Sequence, residues 1–400
     1  MTHPSMRITR RSALLGLATA CTLGRSSLAL AAAPTERRLV VVLLRGALDG
    51  MAAVVPYGDP DLAGLRPGLV GAGPGQPGGV LDMGGFFGLH PALAGLHGMY
   101  AAGEMLAVHA VAGPYRTRSH FDAQDCLESG AEHRLASGWL NRAVAAMPGR
   151  PGGGQVGALA LGVQVPLLLR GAATVGTYAP PASATPAPEL LARIADLLHA
   201  DPLLGPAVTE GLQDRGFSAT ALSGMDKPAG GPGAFAALAA AAGRLLAAPD
   251  GPRVAAMEVG GWDTHAGQAG RLQGPLRALD AGLVALRDGL GATWKQTAVL
   301  VMTEFGRTAR VNGTGGTDHG TGGAAFVLGG AVAGGRVLAD WPGLGAGRLF
   351  EDRDLQPTAD LRAVSAGLLT GHLMVPAAAL GGVFPGGAGA VPPVGGLLRG

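Results

Sequence analysis

The feature that most limits the folds open to this chain is a set of short, almost uninterrupted apolar runs. Four of them are RRLVVVLLRG at 37–46, MLAVHAVAG at 105–113, PRVAAMEVGG at 252–261 and QTAVLVMTE at 296–304. A run of this length without polar alternation is typical of a strand buried on both faces, as in a parallel sheet covered by helices. The runs therefore predict four central strands of a parallel sheet.

Helical patterns occupy intervals between these runs. In 271–290, leucine recurs at alternating steps of four and three residues and forms one apolar stripe; the positions are Leu272, Leu276, Leu279, Leu283, Leu286 and Leu290. Residues 188–200 and 234–248 carry further helical patterns. Alternation of helix and strand predicts an α/β fold with a predominantly parallel sheet and helices on both faces.

Length and composition favour one domain with a sizeable core. The chain has 400 residues, 48% of them apolar, and 70 glycines without a collagen-like period. We expect a single domain over 34–385, with weaker strand signal over 150–250, as in an insertion or a helical segment, and a loose Gly/Pro-rich tail at 386–400. Loops are expected at the segments 68–85, 148–155 and 171–187.

The N-terminus has the pattern of a signal peptide over 1–33. MRITRRSALLGLATACTLG is a basic segment followed by a short apolar run, and Ala-x-Ala cleavage patterns follow near Ala31 and Ala33. Arg10 and Arg11 fit the twin-arginine type, although an arginine-rich chain also produces such pairs by chance. We expect a periplasmic or otherwise exported protein that uses the twin-arginine machinery, with no transmembrane segment in the mature chain.

Charge and cysteine content exclude other classes. The formal charge is +2 and no basic block follows the N-terminus, so nothing supports nucleic-acid binding. A mature chain would keep only Cys126, which forbids an internal disulfide and is expected to be a small buried residue. No G-x-G-x-x-G follows the first strand, which argues against a dinucleotide site.

Polar side chains follow each predicted strand. They are Asp49 after the first strand; Arg118, Ser119 and His120 after the second; Asp263 and His265 after the third; and Glu304, Arg307, Asp318 and His319 after the fourth. In parallel sheets, ligands bind beyond the carboxyl ends of the strands. We therefore expect these groups to meet at one rim, where the glycines of 303–323 let the backbone fold back over an ion or an oxyanion.

Carboxylates and imidazoles together suit a divalent Zn, Mn, Fe or Mg ion. Such an ion would polarise an ester oxygen and activate an attacking water or hydroxyl. Arg118 and Arg307 are then the candidate partners of the substrate oxyanion, and Ser119 stands at a predicted helix start. Glu304 and His319 are expected as ligands, with Asp318 either binding or orienting His319.

Each of these residues also has an ordinary structural interpretation. Ser119 suits the cap position of a helix, and Asp49 suits a tight Asp-Gly turn. Asp263 and His265 are spaced as in an ordinary hydrogen-bonded turn, and the glycine-rich loop is also compatible with a flexible surface connection. Only the joint placement after four strands favours a functional site.

Six motifs are spread over about 37–385: RLVVVLLRGALDGMAAVVPYGDP, FGLHPALAGL, YRTRSHFDAQDCLESG, GWDTHAGQ, TEFGRTARVNGTGGTDHG and DLQPTADLRAV. Together, and in matching order, they resemble the DUF1501 family of twin-arginine-exported bacterial proteins. The family is similar in fold to the alkaline phosphatase and sulfatase superfamily. The resemblance implies an alkaline phosphatase-like fold and leaves the reaction open.

The resemblance also implies roles for the rim residues. Asp49 resembles the first-strand metal carboxylate, and Ser119 the nucleophile, with His120 as a second candidate for that place. Asp263, His265 and His319 resemble the ligands of one metal site, and Glu304 falls where the fourth-strand Asp of the other stands. Phe305 occupies the position of that site's histidine, so His120 replaces the missing ligand or only one metal binds.

Two functions of different class follow. One is an exported metal-dependent hydrolase of phosphate or related esters, acting on a small anionic or saccharide-linked ester. The other is a non-catalytic member of the fold that binds a ligand or serves in envelope or polysaccharide assembly. A formylglycine sulfatase is disfavoured, because RSHFDAQ lacks the Cys/Ser-x-Pro-x-Arg signature.

Overall fold

A computed structural model of the chain describes residues 36–148, 157–162, 164–179, 233–386 and 391–400, with a few isolated positions between 193 and 222. The expected signal peptide at 1–33, most of the expected helix at 188–200, and most of the expected loop at 148–155 lie outside these residues. Within the described part of the chain, no helix combines the length and apolar character needed to cross a membrane.

Among the residues described, the large sheet contains nine strands and a second sheet contains three. In chain order the strands are β1 Arg38–Leu44, β2 Val54–Val55, β3 Leu81–Asp82, β4 Gly88–Leu89, β5 Met105–Ala112, β6 Ala158–Leu161, β7 Val175–Tyr178, β8 Val254–Val259, β9 Thr297–Thr303, β10 Gly323–Leu328, β11 Arg336–Leu338 and β12 Ala359–Asp360. The large sheet has the order β11-β5-β10-β9-β1-β8-β6-β7, with β12 paired to β5, and β2-β4-β3 form the small sheet.

The four predicted central strands are confirmed as β1, β5, β8 and β9. β1 pairs in parallel with β8 on one side and β9 on the other. β10, which the sequence patterns did not indicate, inserts antiparallel between β9 and β5. Two antiparallel pairings restore the direction, so the carboxyl end of β5 lies at the same edge as those of β1, β8 and β9.

The described helices cover both faces of this sheet. They are α1 Gly50–Ala53, α2 Leu62–Leu65, α3 Ala94–Ala101, α4 His120–Ser129, α5 Trp139–Ala146, α6 Ala234–Ala247, α7 Gln268–Arg271, α8 Gln273–Leu290, α9 Leu361–Gly371 and α10 Leu380–Val383. Along β1, Val40 and Val42 pack with α6 and α8, while Val41 and Leu43 pack with α5 and α9. The six leucines of the predicted stripe are all buried. The α/β fold with a mostly parallel sheet is therefore confirmed.

The C-terminal segment 391–400 packs more closely than the expected loose tail. Leu397 is buried, and its carbonyl accepts a hydrogen bond from Ala333 N at 2.9 Å. A Cβ at Gly367 in α9 would lie 2.3 Å from Val394 O, so the glycine permits this close approach. The apolar residues of the segment cover one edge of the core, which its Gly/Pro-rich composition concealed.

Candidate metal centre

The four strand ends bring a compact group of imidazoles around one carboxylate. Asp263 follows β8, and its Oδ1 lies 3.1 Å from His265 Nε2, 3.6 Å from His319 Nε2 and 3.7 Å from His120 Nε2. The Nε2 atoms of His265 and His319 are 3.0 Å apart. The rim expected from the sequence thus contains a cluster of one carboxylate and three imidazoles.

The other ring nitrogen of each histidine is anchored by an acceptor. His120 Nδ1 lies 2.8 Å from Glu304 Oε1, and His265 Nδ1 lies 3.1 Å from Asp318 Oδ1. His319 Nδ1 donates to the backbone carbonyl of Arg118 at 2.9 Å. This arrangement is characteristic of metal-binding histidines, because an acceptor at one nitrogen fixes the tautomer and directs the other nitrogen at the ion.

The cluster is rich in lone pairs. When Nδ1 of His265 and of His319 is protonated, each Nε2 presents a lone pair to the other at 3.0 Å, beside the Asp263 carboxylate. His120 Nε2 is buried and has no hydrogen-bond partner. Only a cation, either a proton or a metal ion, relieves the repulsion between the Nε2 lone pairs of His265 and His319.

The distances suit a small divalent ion. Bonds of 2.0–2.2 Å in a tetrahedron separate neighbouring ligand atoms by about 3.3–3.6 Å. The distances from Asp263 Oδ1 to the three Nε2 atoms, and from His265 Nε2 to His319 Nε2, range from 3.0 to 3.7 Å. Ligand atoms of His120, Asp263 and His319 all lie within 4.8 Å of one another. Three imidazoles with one carboxylate favour Zn, Mn or Fe over Mg.

Neighbouring charges and burial shift the pKa values of Asp263 and His319 toward the metal-binding protonation states. Partial burial would raise the pKa of Asp263, but the hydrogen bond and charge of Arg307 lower it below its usual value. Burial lowers the pKa of His319, which keeps its ring neutral. The hydrogen bond to Glu304 raises the pKa of His120, so a proton competes with a metal ion at that ligand.

Glu304 occupies a supporting position, where the sequence predicted a ligand. The carboxylate is almost fully buried and accepts from Gly46 N at 2.8 Å, Gln124 Nε2 at 3.0 Å and Thr303 Oγ1 at 2.8 Å, in addition to its contact with His120. Burial would raise the pKa of Glu304, but hydrogen bonds with His120, Gln124 and Thr303 lower it to about 2. Its oxygens are therefore committed to holding His120.

Arg307 is also placed differently from the expected oxyanion partner. It is 0% exposed, and its guanidinium donates to the carbonyls of Ala47, Gly46 and Trp262 and to Asp263 Oδ1. The side chain thereby ties the turn after β1 to the turn after β8. Its inaccessibility means that it organises the cluster and does not face a substrate.

The Asp49 carboxylate is occupied by partners outside the imidazole cluster. It is 0% exposed, and its carboxylate accepts from Arg66 Nη1 at 2.7 Å, Gln268 Nε2 at 2.6 Å and Ala52 N at 3.2 Å. The last contact caps α1. The metal role implied by the resemblance is thus not supported, and a buried ion pair with a helix cap takes its place.

Asp318 does orient an imidazole, but the ring is that of His265 and not that of His319. Its Oδ1 also accepts from Asn312 Nδ2 at 3.0 Å, and the same amide group donates to the carbonyl of His265 at 2.9 Å. Asn312 was not identified from the sequence, although it lies inside the loop at 303–323. A Cβ at Gly316 would lie 2.3 Å from the His265 backbone, so this loop folds back closely over the turn after β8.

The residues before α4 contribute main chain as well as side chains. Ser119 is the N-cap residue, but its side chain makes no cap hydrogen bond, in contrast to the simple capping interpretation. Arg118 pairs with Glu351 and with Asp354 Oδ2 at 2.8 Å, so both contacts direct its guanidinium to protein carboxylates. Cys126, within α4, is buried as expected, and burial raises its pKa to about 11.

Comparison with known proteins supplies the family. A family model described as "Protein of unknown function (DUF1501)" matches residues 103–376, which include four of the six motifs. Ps i-CgsB, solved in complex with k-i-k-neocarrahexaose, is similar at 10% identity and a TM-score of 0.38, covering 86% of this chain and 73% of that one. A protein in the alkaline phosphatase superfamily from Vibrio parahaemolyticus is similar at 10% identity and a TM-score of 0.30, covering 77% and 63%. No curated protein matches the sequence. Since the family model spans more than half of its length, the chain belongs to the DUF1501 family.

Proposed function

We propose that this protein is an exported metal-dependent hydrolase of phosphate or related esters. The observation that carries the proposal is the set of three imidazole Nε2 atoms gathered around Asp263, each with its Nδ1 held by an acceptor. This arrangement costs electrostatic energy without a cation, and a divalent ion compensates for it.

His120, Asp263, His265 and His319 would hold one ion, with Zn, Mn and Fe preferred to Mg by the donor types. When bound, such an ion supplies Lewis acidity toward an ester oxygen. Arg307 keeps Asp263 ionised through its 2.6 Å contact. Glu304 keeps His120 in the orientation that turns Nε2 toward the cluster.

Ser119 is the proposed nucleophile. It directly precedes His120 at the start of α4, and its hydroxyl is not used as a helix cap. The first turn of α4 offers backbone N–H groups and the positive end of the helix dipole to an anion. Because Arg118 and Arg307 are engaged by protein acceptors, these N–H groups and the ion are the proposed partners of the substrate oxyanion.

The proposed substrate is a small anionic ester, free or linked to a saccharide, met outside the cytoplasm. Export through the twin-arginine pathway would allow the ion to be loaded before translocation, since that pathway moves folded proteins. A non-catalytic binding role is the second candidate, and it is favoured by the engagement of both arginines and by the presence of a single imidazole cluster among the described residues.

Metal analysis of the purified mature protein is the first test. We expect about one equivalent of a transition metal per chain, lost in His265→Ala and retained in His133→Ala, an exposed histidine beyond α4. Activity on p-nitrophenyl phosphate, bis-p-nitrophenyl phosphate and p-nitrophenyl sulfate should follow metal content. Stoichiometric metal without turnover of any ester would favour the binding role. No stoichiometric metal, with ester activity unchanged in His265→Ala, would leave the hydrolase proposal without support.

A further inference from the structure

The motif DLQPTADLRAV begins at a fully buried carboxylate that the proposed chemistry does not use. Asp354 is 0% exposed, and its Oδ2 accepts from Arg118 Nε at 2.8 Å and from Thr321 Oγ1 at 2.8 Å. Its Oδ1 has no hydrogen-bond partner and lies 3.5 Å from Arg353 Nη1. Burying a carboxylate in this way destabilises the fold unless cationic or hydrogen-bonding partners compensate for its lost hydration.

The partner of Asp354 lies directly before two residues of the site. Arg118 adopts a left-handed backbone conformation with φ of 67°, which is uncommon for a residue with a side chain. In this conformation its carbonyl meets His319 Nδ1 at 2.9 Å, and the chain then enters α4 at His120. A strained backbone conformation persists only when neighbouring contacts stabilise it. At Arg118 these contacts are the ion pairs of its side chain with Asp354 and Glu351.

The turn formed by residues 350–354 also contacts the loop that contains His319. Arg353 Nη2 donates to the carbonyl of His319 at 2.8 Å, and Asp354 holds the hydroxyl of Thr321 two residues further on. Glu351 and Asp352 both have positive φ, which folds residues 350–354 into a tight turn closed by Phe350 N and Asp354 O. One turn therefore contacts both chain segments that supply His120 and His319.

We propose that Asp354 is a positioning residue for the metal centre, acting through Arg118. It holds the Arg118 carbonyl where it fixes the Nδ1–H tautomer of His319, and so leaves His319 Nε2 free as a ligand. This role rests on the proposed metal function for its purpose, but the orientation of His319 is a property of the metal-free chain. Removing a residue that orients a metal ligand without binding the ion typically weakens metal affinity by about 10- to 100-fold.

The test compares Asp354→Ala with Asp59→Ala in the full mature chain. Asp59 is similarly buried, but it accepts from Trp341 Nε1 at 2.8 Å and Leu344 N at 3.1 Å, neither of which belongs to the imidazole cluster. We expect Asp354→Ala to bind Zn²⁺ about 10- to 100-fold more weakly in a chelator competition. Asp59→Ala should bind Zn²⁺ as the wild type does while its Tm falls. Wild-type Zn²⁺ affinity in Asp354→Ala overturns the proposal.

A second readout needs no metal. In the metal-free wild type, the ¹⁵N imidazole spectrum should show His319 protonated at Nδ1, and in Asp354→Ala that signature should give way to a tautomer mixture. If the wild type binds no Zn²⁺, this change still supports the positioning role while the metal proposal fails; an unchanged spectrum overturns the positioning role. Should Asp354→Ala not fold, Asp354→Asn decides, because it keeps the side-chain volume. Weaker Zn²⁺ binding than in the wild type, with loss of the His319 Nδ1–H signature, supports the positioning role, and wild-type behaviour in both measurements overturns it.

Discussion

Replacement of Asp49 separates the role seen in the structure from the role implied by family resemblance. In the structure, Asp49 is a buried partner of Arg66 and Gln268 and the cap of α1. Asp49→Ala leaves the guanidinium of Arg66, which is only 1% exposed, without its carboxylate. It still donates to the carbonyls of Thr308 and Ala309, at 2.6 and 3.0 Å.

Breaking a buried ion pair from one side costs about 3–5 kcal/mol, and loss of a helix cap costs about 1 kcal/mol. The retained carbonyl contacts of Arg66 place the expected loss of unfolding free energy near the lower end, at about 3–4 kcal/mol. Dividing this loss by the unfolding entropy expected for a chain of this size gives a fall in Tm on the order of 5 °C.

The assay pairs differential scanning fluorimetry with metal analysis of the same preparations. Asp49→Ala should lower Tm and keep the metal content of the wild type. His265→Ala, in which the lost ring is 44% exposed, should show the opposite pattern, with metal lost and the Tm of the metal-free protein little changed. An Asp49→Ala protein with wild-type Tm and no metal would refute the structural assignment and restore the metal role.

Further predictions concern support of the cluster and the acid sensitivity of the fold. Glu304→Gln should weaken metal affinity about 10- to 100-fold, because its carboxylate anchors one imidazole, and chelator competition would measure the loss. Gly316→Ala should lower metal content as well, because the new Cβ meets the His265 backbone at 2.3 Å. Chelator treatment should lower Tm, because an ion at 100 times its Kd stabilises the folded state by about 2.7 kcal/mol. Burial lowers the pKa of His109 and of His372 to about 4, whereas their ordinary value is 6.5. The unfolded chain therefore takes up these protons first, and stability present above pH 6.5 is lost as pH falls toward 4, by up to about 3 kcal/mol for each residue. Urea midpoints between pH 7 and 4 would measure this slope, and His372→Gln should make it shallower.

The central strands and the stripe of α8 were predictable because their signals are local. A continuous apolar run and a leucine periodicity depend only on residues close in sequence, and burial follows from them directly. β10 was missed, because GAAFVL begins inside a glycine-rich loop and its antiparallel insertion between β5 and β9 depends on distant partners.

The sequence by itself also determined that polar groups would gather at one rim, since the carboxyl ends of parallel strands share an edge. It did not determine which carboxylate faces the imidazoles. Three carboxylates follow strands: Asp49, Asp263 and Glu304. Asp49 pairs with Arg66, and Glu304 holds the Nδ1 of His120. Of the three, Asp263 is the one that lies beside three Nε2 atoms. These partners lie from 17 to 184 residues away along the chain. The choice among similar side chains was therefore made by long-range contacts, which exist only once the backbone has folded.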